Sequence, residues 1–326
     1  MQALNPIIDA SAGPQPPQII DLTEPEPAVG EVLVRVRATA LNRADLLQVR
    51  GLYPPPPGES EVPGLECAGE IEALGDGVDD WQVGDRVMAL LAGGGHGEKV
   101  AVPTGQLMPI PPGLDFTQAA ALPEVAITAW TNLVAEGRLE KRQSVLITAA
   151  ASGVGTFAVQ LARELGARVL VAGRSVERLE RLRPLGAEAC IPLDENLPQA
   201  VRAILDGPGL DLVIELAGGP GLRQRLSALR SQGRLVLVGI LGGAGAEVDL
   251  ADVLRRRLRI TGSVLRARPR AEKAELIQSF WEFAEERLAD GRLRPVVHQV
   301  YPFERIADAY ADLERGGVFG KLVLEI

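Results

Sequence analysis

Cysteine, histidine and aromatic residues are scarce in this sequence. Its 326 residues include two cysteines and two histidines, and aromatic residues make up only 4%. Cys67 and Cys190 lie far apart in apolar segments, so no disulfide framework is indicated, which fits a reducing compartment. A zinc site needs three or four nitrogen, sulfur or oxygen ligands. A site built from four cysteines is therefore excluded.

An excess of basic residues is missing as well. The chain has 34 Lys and Arg against 43 Asp and Glu, a formal net charge of -9. Nucleic-acid-binding proteins usually show a basic surface and aromatic faces, so we expect no nucleic-acid partner. Two local arginine clusters, at 255–259 and 266–270, are compatible either with a solvated helix face and its exit loop or with a local anion site.

No segment is typical of export or of a membrane span. The start MQALNPIID lacks a basic region followed by an apolar one, so we expect no signal peptide. The longest uncharged stretch, 143–162, contains Thr, Ser, Gly and Gln, and it predicts a strand, a tight turn and a buried helix. We therefore expect a cytoplasmic protein with no membrane partner.

The chain divides into three blocks, and its length fits about two domains. Block 1–123 is rich in Pro, Gly and Val, with short apolar runs between turns, and predicts an irregular all-β structure. Block 124–264 alternates strands with helices, which predicts right-handed crossovers and a parallel sheet covered on both faces. Block 265–326 predicts a long amphipathic helix over 271–291, a strand over 294–302, a helix over 303–317 and a last strand over 320–326.

The elements of the central block can be assigned individually. Its strands are apolar throughout, as burial on both faces requires. The predicted strands cover 144–150, 168–173, 188–192, 210–218, 234–240 and 259–264. The predicted helices cover 152–166, 175–186, 198–206 and 221–233.

A turn of small residues separates the first strand and helix of this block. In the dinucleotide-binding fingerprint, three glycines make the turn, admit the pyrophosphate and let the helix pack on the strand. Gly155 takes the third position here, while Ala150 and Ser152 stand at the first two. The alternative is a packing turn in which Ser152 only caps the helix. The residues that would hold phosphate at the helix N-terminus are Ser152, Gly153 and Val154.

The end of the second strand predicts which cofactor is used. NAD enzymes usually place an acidic residue there, about 20 residues after the glycine turn, to bind the ribose hydroxyls. Gly173 occupies this position and is followed by Arg174, with Arg178 one turn further on. A guanidinium binds two phosphate oxygens at once, so this pair predicts NADP(H). Alternatively, both arginines are solvated residues at a helix start.

These segments resemble the medium-chain dehydrogenase/reductase superfamily, specifically its zinc-independent quinone oxidoreductases related to zeta-crystallin. The spacing SGVG-x4-Gln160-x2-Arg163 is similar to the family signature, with Ser152 where glycine is common. The resemblance implies a homodimer, and a GroES-like, mostly β catalytic domain, 1–123 and 265–326, around a Rossmann cofactor domain, 124–264. The segments that carry it are 40–58, 63–90, 119–130, 146–163, 235–243, 263–268 and 320–326.

The resemblance also bears on metal chemistry. Alcohol dehydrogenases of this superfamily hold zinc with Cys and His, but Asn42 and Leu65 stand at the corresponding positions, and only the acidic Glu66 is retained. One carboxylate does not make a zinc site, so we expect no metal. His96, in a glycine-rich loop, is expected on the surface rather than at the substrate. Without a Lewis acid, quinones and α,β-unsaturated carbonyls are the favoured hydride acceptors.

Four side chains are candidates for the catalytic site. Asn42 offers an amide to the nicotinamide ribose or the acceptor, and Asp45 could orient that amide or bind a ribose hydroxyl. Tyr53 could donate to a quinone oxygen, and Thr128 resembles the family threonine beside the cofactor. The alternatives are a turn residue for Asn42 and a tyrosine packed on prolines for Tyr53.

Further cofactor contacts are expected from loops that follow the later strands. By resemblance Lys321 reaches the cofactor phosphates, although an exposed strand lysine is an equal alternative. The remaining expected contacts are Gly239, Ile240, Leu241, Ser263, Val264 and Leu265, besides Asn42 and Thr128.

Three functions compete at this point. The first is an NADPH-dependent, metal-independent quinone reductase acting on a small electrophilic acceptor. The second is an enoyl or alkenal reductase, and the third is a non-enzymatic NADPH-binding protein. For assembly, the segment 255–264 is the expected edge at which two Rossmann sheets would pair.

Overall fold

A computed structural model describes residues 1–5 and 17–326, which form two compact units. The first unit comprises Met1–Ile127 and Leu265–Ile326, and the second comprises Thr128–Val264. Both chain ends therefore belong to one unit. Residues 6–9 of the N-terminal segment MQALNPIID, in which no signal peptide is expected, lie outside the described residues.

The first unit is built around one large sheet. The C-terminal strand pairs antiparallel with Glu31–Ala40, with Val323 opposite Ala40, and this pairing brings the chain end into the N-terminal sheet. Val297–Pro302 and Lys321–Glu325 pair in parallel. Lys99–Pro103 pairs with Glu31–Ala40 off the main path. The strands on the main path, in spatial order, are Val297–Pro302, Lys321–Glu325, Glu31–Ala40, Glu66–Leu74, Arg86–Leu90 and Leu107–Pro109. A separate two-stranded sheet pairs Gln2–Leu4 with Ile19–Asp21.

The longest helix of this unit is Arg270–Ala289, which contacts the 3₁₀ turn Thr104–Gln106. Its buried residues Leu276, Phe280, Ala284 and Leu288 recur every four positions, so one stripe of the helix faces the core. The segment predicted as one helix over 303–317 is a 3₁₀ turn, Phe303–Arg305, followed by the α-helix Ile306–Arg315. The other helices are Arg43–Gln48, Thr104–Gln106 (3₁₀), Phe116–Ala120 and Pro123–Trp130, the last of which crosses the boundary between the units.

The second unit contains a six-stranded, fully parallel sheet. If its strands are numbered along the chain, their spatial order is 3-2-1-4-5-6, the order of a doubly wound dinucleotide-binding fold. The predicted fold class, a Rossmann sheet with a separate GroES-like β unit, is confirmed. In spatial order the strands are Ala189–Pro192, Arg168–Gly173, Ser144–Thr148, Leu210–Glu215, Leu229–Leu237 and Arg259–Gly262.

Two predicted helices of the second unit are shorter than expected. The segment 175–186 splits into Val176–Glu180 and the 3₁₀ turn Arg183–Leu185, because Pro184 has no N–H to continue an α-helix. The segment 221–233 ends as a helix at Ala228, because Leu229 already pairs with Leu210 in the sheet. The helices of this unit are Thr131–Ala135 (π), Gly153–Glu164, Val176–Glu180, Leu197–Leu205, Leu222–Ala228 and Leu250–Arg256.

The hydrophobic cores explain why these elements pack. In the second unit, Leu146, Leu170, Val213 and Leu235 are fully buried in four strands of the parallel sheet. In the first unit, Val34, Val87 and Val102 join strands of the large sheet. Among the described residues, no helix is both long enough and apolar enough to cross a membrane.

Candidate functional site

The dinucleotide turn of the second unit lies at the end of the strand Ser144–Thr148. Ser152 caps the following helix, because its hydroxyl accepts a hydrogen bond from Gly155 N at 3.1 Å. A Cβ at Gly155 would lie 2.5 Å from Ala150 Cα, so only glycine permits this approach. Ala149 adopts φ 46°, a left-handed conformation that favours glycine. Gly155 thus has the close packing expected of the fingerprint's third glycine, and Ser152 caps the helix.

This turn can accommodate a phosphate. The helix Gly153–Glu164 has twelve residues, and its first N–H groups have no partner within the helix. Ser152 is exposed and Gly153 and Val154 are half-buried, so the start of this helix lies at the surface. A helix N-terminus of this length attracts an anion through its free N–H groups and its dipole.

The end of the second strand is polar and open. Arg174 is exposed and Arg178 is exposed at least in part, and Ser175 caps the short helix that carries Arg178, accepting from its N–H at 3.4 Å. Leu193 N donates to Gly173 O at 3.1 Å, so Leu193 lies directly beside this strand end. The two arginines therefore flank the position where a cofactor's adenosine ribose is expected.

Sequence reasoning missed a buried polar cluster at the point where the strand order reverses. Glu215 and Arg225 are buried and form an ion pair. The Glu215 carboxylate also accepts from Thr148 Oγ1 at 2.9 Å and from Gly218 N at 2.8 Å, and Arg225 donates to Gly218 O at 2.8 Å. These bonds fix the loop after Leu210–Glu215. A charged residue inside the apolar run LDLVIELAG was the available signal.

The loop that follows the fifth strand rests on this cluster. Gly239 N donates to Glu215 O at 3.3 Å, and a Cβ at Gly218 would lie 2.9 Å from Ile240 Cα. Ile240 and Leu241 are exposed although they are apolar. Ser263 N donates to Leu237 O at 2.9 Å at the end of the last strand.

The other expected cofactor residues are placed as follows. Thr128 is buried, and its carbonyl oxygen accepts from Asn132 Nδ2 at 2.7 Å. Val264 is exposed, whereas Leu265, the first residue of the second segment of the first unit, is buried.

A second buried cluster dominates the first unit. Lys321 Nζ donates to Glu66 Oε1 at 2.5 Å, to Asn42 Oδ1 at 2.7 Å and to Leu41 O at 2.7 Å. Asn42 Nδ2 donates to Glu66 Oε1 at 2.9 Å, and Glu124 N donates to Glu66 Oε2 at 2.8 Å. Lys321 and Glu66 are 4% and 0% exposed. All three hydrogens of the ammonium therefore have acceptors.

This cluster changes several sequence-based expectations. Lys321 is neither an exposed strand residue nor free to reach cofactor phosphates in this arrangement, because its donors are committed to buried oxygens. The Asn42 side chain is committed on both its oxygen and its nitrogen. Asp45 is fully buried and accepts from Asn42 N at 2.6 Å and Gly64 N at 3.2 Å, so it fixes the turn and does not present a carboxylate to a ribose.

The ring of Tyr53 packs against a buried arginine side chain. Arg266 lies over the Tyr53 ring at 5.2 Å and donates to Tyr53 O at 3.0 Å. Arg266 also donates to Gln48 Oε1 at 2.6 Å and to Ala92 O at 2.7 Å. Burial raises the pKa of Tyr53 above its usual value, so the phenol keeps its proton at neutral pH.

The expectation of a surface histidine at position 96 is wrong. His96 is fully buried, and its Nδ1 forms a hydrogen bond with Tyr310 Oη at 3.0 Å. Burial lowers the pKa of His96, which keeps the ring neutral. The glycines around it allow this, since a Cβ at Gly64 would lie 2.4 Å from His96 N. Within residues 1–5 and 17–326, no three His, Cys, Asp or Glu side chains converge as metal ligands.

Comparison with known proteins identifies the family. Residues 28–112 match the alcohol dehydrogenase GroES-like domain, and residues 153–282 match the zinc-binding dehydrogenase family. Quinone oxidoreductase from Rattus norvegicus is 30% identical over 307 residues, covering 93% of this chain and 92% of that protein. The chain belongs to the medium-chain dehydrogenase/reductase superfamily. The resemblance to its quinone oxidoreductases is confirmed.

Other members of the superfamily are similar to this chain in sequence and in fold. The synaptic vesicle membrane protein VAT-1 homolog from Homo sapiens is 32% identical over 316 residues, covering 92% of this chain and 80% of that protein. The quinone oxidoreductase from Thermus thermophilus, whose structure was also solved with NADPH, has a TM-score of 0.83 and 35% identity over the whole of both chains. A solved NAD-dependent alcohol dehydrogenase has a TM-score of 0.86 and 30% identity, again over the whole of both chains.

The buried ion pair of the first unit can be tested by a double-mutant cycle. We expect Lys321→Met and Glu66→Gln each to lower the free energy of unfolding by about 3–5 kcal/mol, because each leaves its partner's charge buried and unpaired. The double variant should lose clearly less than the sum. Urea unfolding measures all three.

An exposed ion pair provides the control for this cycle. Glu180 pairs with Arg183 on the surface of the second unit, and Glu180→Gln should change the free energy of unfolding little, because water screens an exposed ion pair. Strictly additive losses for the Lys321 and Glu66 variants would contradict the coupling.

Proposed function

We propose that this chain is an NADPH-dependent reductase that transfers a hydride to a quinone without a metal ion. The observation that carries the proposal is the doubly wound sheet with a phosphate-accommodating turn at the end of its first strand. Relatives named quinone oxidoreductase cover nearly the whole chain, which supports this acceptor class. The nicotinamide, when bound, supplies the hydride.

The residues of the second unit fit a dinucleotide. Ser152, Gly153 and Val154 would hold the pyrophosphate, and Gly155 keeps the helix close enough for their N–H groups to do so. Arg174 and Arg178 would bind the 2′-phosphate. The nicotinamide end of the cofactor would be lined by residues from the later strand ends and by a threonine: Gly239, Ile240, Leu241, Ser263, Val264 and Thr128. Leu265, which follows Val264, would also belong to this lining.

The first unit holds candidate catalytic residues. Tyr53 would donate a hydrogen bond to the oxygen that becomes negative as the acceptor takes the hydride. Three residues would act as positioning residues, namely Asn42, Asp45 and Lys321. The side chains of Asn42 and Lys321 bond to each other and to Glu66, and the Asp45 carboxylate accepts from the backbone N–H of Asn42. Asn42 stands at a position that resembles a zinc ligand of the alcohol dehydrogenases. Its side-chain oxygen already accepts a hydrogen bond from an ammonium group, and this supports chemistry without a metal ion.

The acceptor class is tested by a panel of electrophiles under NADPH. We expect steady NADPH oxidation with ortho- and para-quinones, and a kcat/KM at least about tenfold lower with 2-alkenals and enoyl thioesters. The reason is that a quinone delocalises the added charge without help from a Lewis acid.

A different ranking would favour another function. CurK enoyl reductase has a TM-score of 0.81 and 26% identity over 95% of both chains, so preference for an enoyl thioester would replace the quinone proposal with double-bond reduction. Binding of NADPH without turnover of any acceptor would indicate a non-enzymatic NADPH-binding protein.

Cofactor choice is tested at the two arginines. Arg174→Ala combined with Arg178→Ala should weaken NADPH binding about 10- to 150-fold, since charge-assisted bonds of about 1.5–3 kcal/mol are lost, and leave NADH binding nearly unchanged. Fluorescence titration measures both dissociation constants. Lys141→Ala, at an exposed lysine of the same unit, is the charge control. Equal losses for NADPH and NADH would refute the assignment.

We further propose a homodimer formed through the second unit. The strand Arg259–Gly262 lies at the edge of the sheet, and its backbone is available for pairing. Leu250 and Leu254 on the neighbouring helix are 76% and 77% exposed, and Ile260 is also exposed. Exposed apolar residues beside an open strand edge are typical of a subunit interface.

Light scattering tests this assembly at micromolar concentration. We expect the mass of a dimer for the wild type and of a monomer for Leu254→Asp, because a carboxylate would be buried unpaired in the interface. Val29→Asp, at an equally exposed residue of the first unit, should remain dimeric. A wild-type monomer throughout this range would exclude the dimer.

A further inference from the structure

A cleft of about 310 Å³ lies within the second unit, between three of its helices. These helices are Leu197–Leu205, Leu222–Ala228 and Leu250–Arg256. On the last two, the lining residues are spaced three and four positions apart, so each helix turns one face to the cleft. The polar side chains of the lining belong to Arg202, Arg223, Ser227, Asp249, Asp252 and Arg256.

The cleft is separate from the dinucleotide turn. The helix Gly153–Glu164 leads from the first strand of the parallel sheet to the second, whereas Leu222–Ala228 and Leu250–Arg256 lead from the fourth to the fifth and from the fifth to the sixth. In the strand order 3-2-1-4-5-6 these connections run in opposite directions. Right-handed connections of opposite direction lie on opposite faces of a sheet, so the cleft and the helix of the dinucleotide turn do not share a face.

The ion pair in the cleft wall is already complete. Asp252 pairs with Arg256, whose guanidinium also donates to two backbone carbonyl oxygens at 2.5 and 2.8 Å. Asp249 Oδ1 accepts from Asp252 N at 3.1 Å and so caps its helix. Arg256 therefore has few donors left for a ligand, and its charge is balanced by Asp252.

Two other arginines keep donors for a ligand. Arg202 Nη2 donates to Ser227 O at 3.0 Å, which occupies one of the five N–H groups of its guanidinium. Ser227 follows Arg223 by four residues, about 6 Å along a helix axis, so this bond brings Arg202 to the helix that carries Arg223. Arg223 itself makes no hydrogen bond or ion pair with any residue in the ranges 1–5 and 17–326. With three arginines and two aspartates, the lining has one net positive charge.

The arginine cluster 255–259 is compatible in sequence with a solvated helix face or with an anion site. Arg255 is exposed and lies 3.5 Å from Asp252, the same carboxylate that pairs with Arg256. The cluster is thus a helix face with partly neutralised charges, and Arg256 is its one member in the cleft lining. The available donors of the cleft therefore come from outside the cluster.

The rest of the lining favours a molecule larger than a bare ion. A volume of about 310 Å³ lies at the lower end of the range of small-molecule sites. Leu226 and Val253 add apolar surface. The second carboxylate oxygen of Asp249 accepts no hydrogen bond from the described part of the chain, so it can accept one from a ligand hydroxyl. A carboxylate beside two arginines repels a bare anion and favours an anion that also carries a donor.

We propose that this cleft binds a phosphate monoester that also carries hydroxyl groups, the chemistry of a sugar phosphate. A guanidinium fork matches two phosphate oxygens, so Arg202 and Arg223 would hold the phosphate between them. Asp249 would accept from a hydroxyl of the sugar, and Leu226 and Val253 would pack against its carbon atoms. This site goes beyond the proposed reductase function and does not depend on it.

Calorimetric titration with ribose 5-phosphate, in the absence of NADPH, tests the site. We expect the wild type to bind ribose 5-phosphate more tightly than inorganic phosphate and to show no binding of ribose. Arg223→Gln should weaken ribose 5-phosphate binding about tenfold or more, because one charge-assisted fork is lost. Its Tm should stay unchanged, since the side chain is exposed. Arg138→Gln, at an exposed arginine of the same unit outside the cleft, should bind like the wild type.

Asp249→Asn separates hydroxyl recognition from charge. Its amide oxygen keeps the helix cap, while its N–H₂ group cannot accept from a ligand hydroxyl. We expect this variant to bind inorganic phosphate at least as tightly as the wild type and to lose the preference for ribose 5-phosphate. A retained preference would refute the role of Asp249 and with it the hydroxylated ligand.

Other results would overturn the site as a whole. These are no binding of ribose 5-phosphate, or unchanged binding in Arg223→Gln. Equal affinity of the wild type for ribose 5-phosphate and inorganic phosphate would mean an adventitious ion only. Loss of binding in the combined Arg174→Ala and Arg178→Ala variant would assign the phosphate to the end of the second strand instead. Because no cofactor or acceptor is present, each of these results leaves the reductase proposal to its own tests.

Discussion

The ion pair between Lys321 and Glu66 is the interaction on which the first unit depends. It joins the C-terminal strand to the strand Glu66–Leu74, and through Asn42 it fixes the turn after Glu31–Ala40. Charges buried this deeply are tolerable only with complete hydrogen bonding, and here the ammonium has three acceptors and both carboxylate oxygens have donors. The C-terminal strand therefore cannot leave this sheet without exposing or orphaning a charge.

The second unit uses a buried carboxylate in a similar way. Glu215, at the end of a central strand, binds Arg225, Thr148 and the backbone of the loop that follows. That loop in turn supports Gly239, and with it the segment proposed to line the nicotinamide end. In each unit, one buried ion pair fixes the loops around it, and the proposed hydride transfer would require such preorganised groups.

The sequence predicted the fold well because its signals are local and periodic. Apolar strands alternating with capped helices, and one glycine at a tight turn, were enough to predict the parallel sheet. Burial of individual polar residues was much less predictable. His96, Lys321 and Arg266 look like surface residues in their local sequence, and they are buried by strands and loops distant along the chain. Likewise the end of the helix at Ala228 depends on pairing with Leu210, which no local pattern encodes.

The central claim is that a nicotinamide hydride reduces the acceptor with protein groups alone. The most direct measurement is a single turnover of an ortho-quinone by chelator-treated, metal-free protein, comparing NADPH with NADPH deuterated at the transferred C4 position. We predict complete oxidation of the bound cofactor and a slower step with the deuterated form. Reduction that appears only after zinc is added, or a deuterated cofactor that reacts at the same rate because another group carries the electrons, would contradict the account.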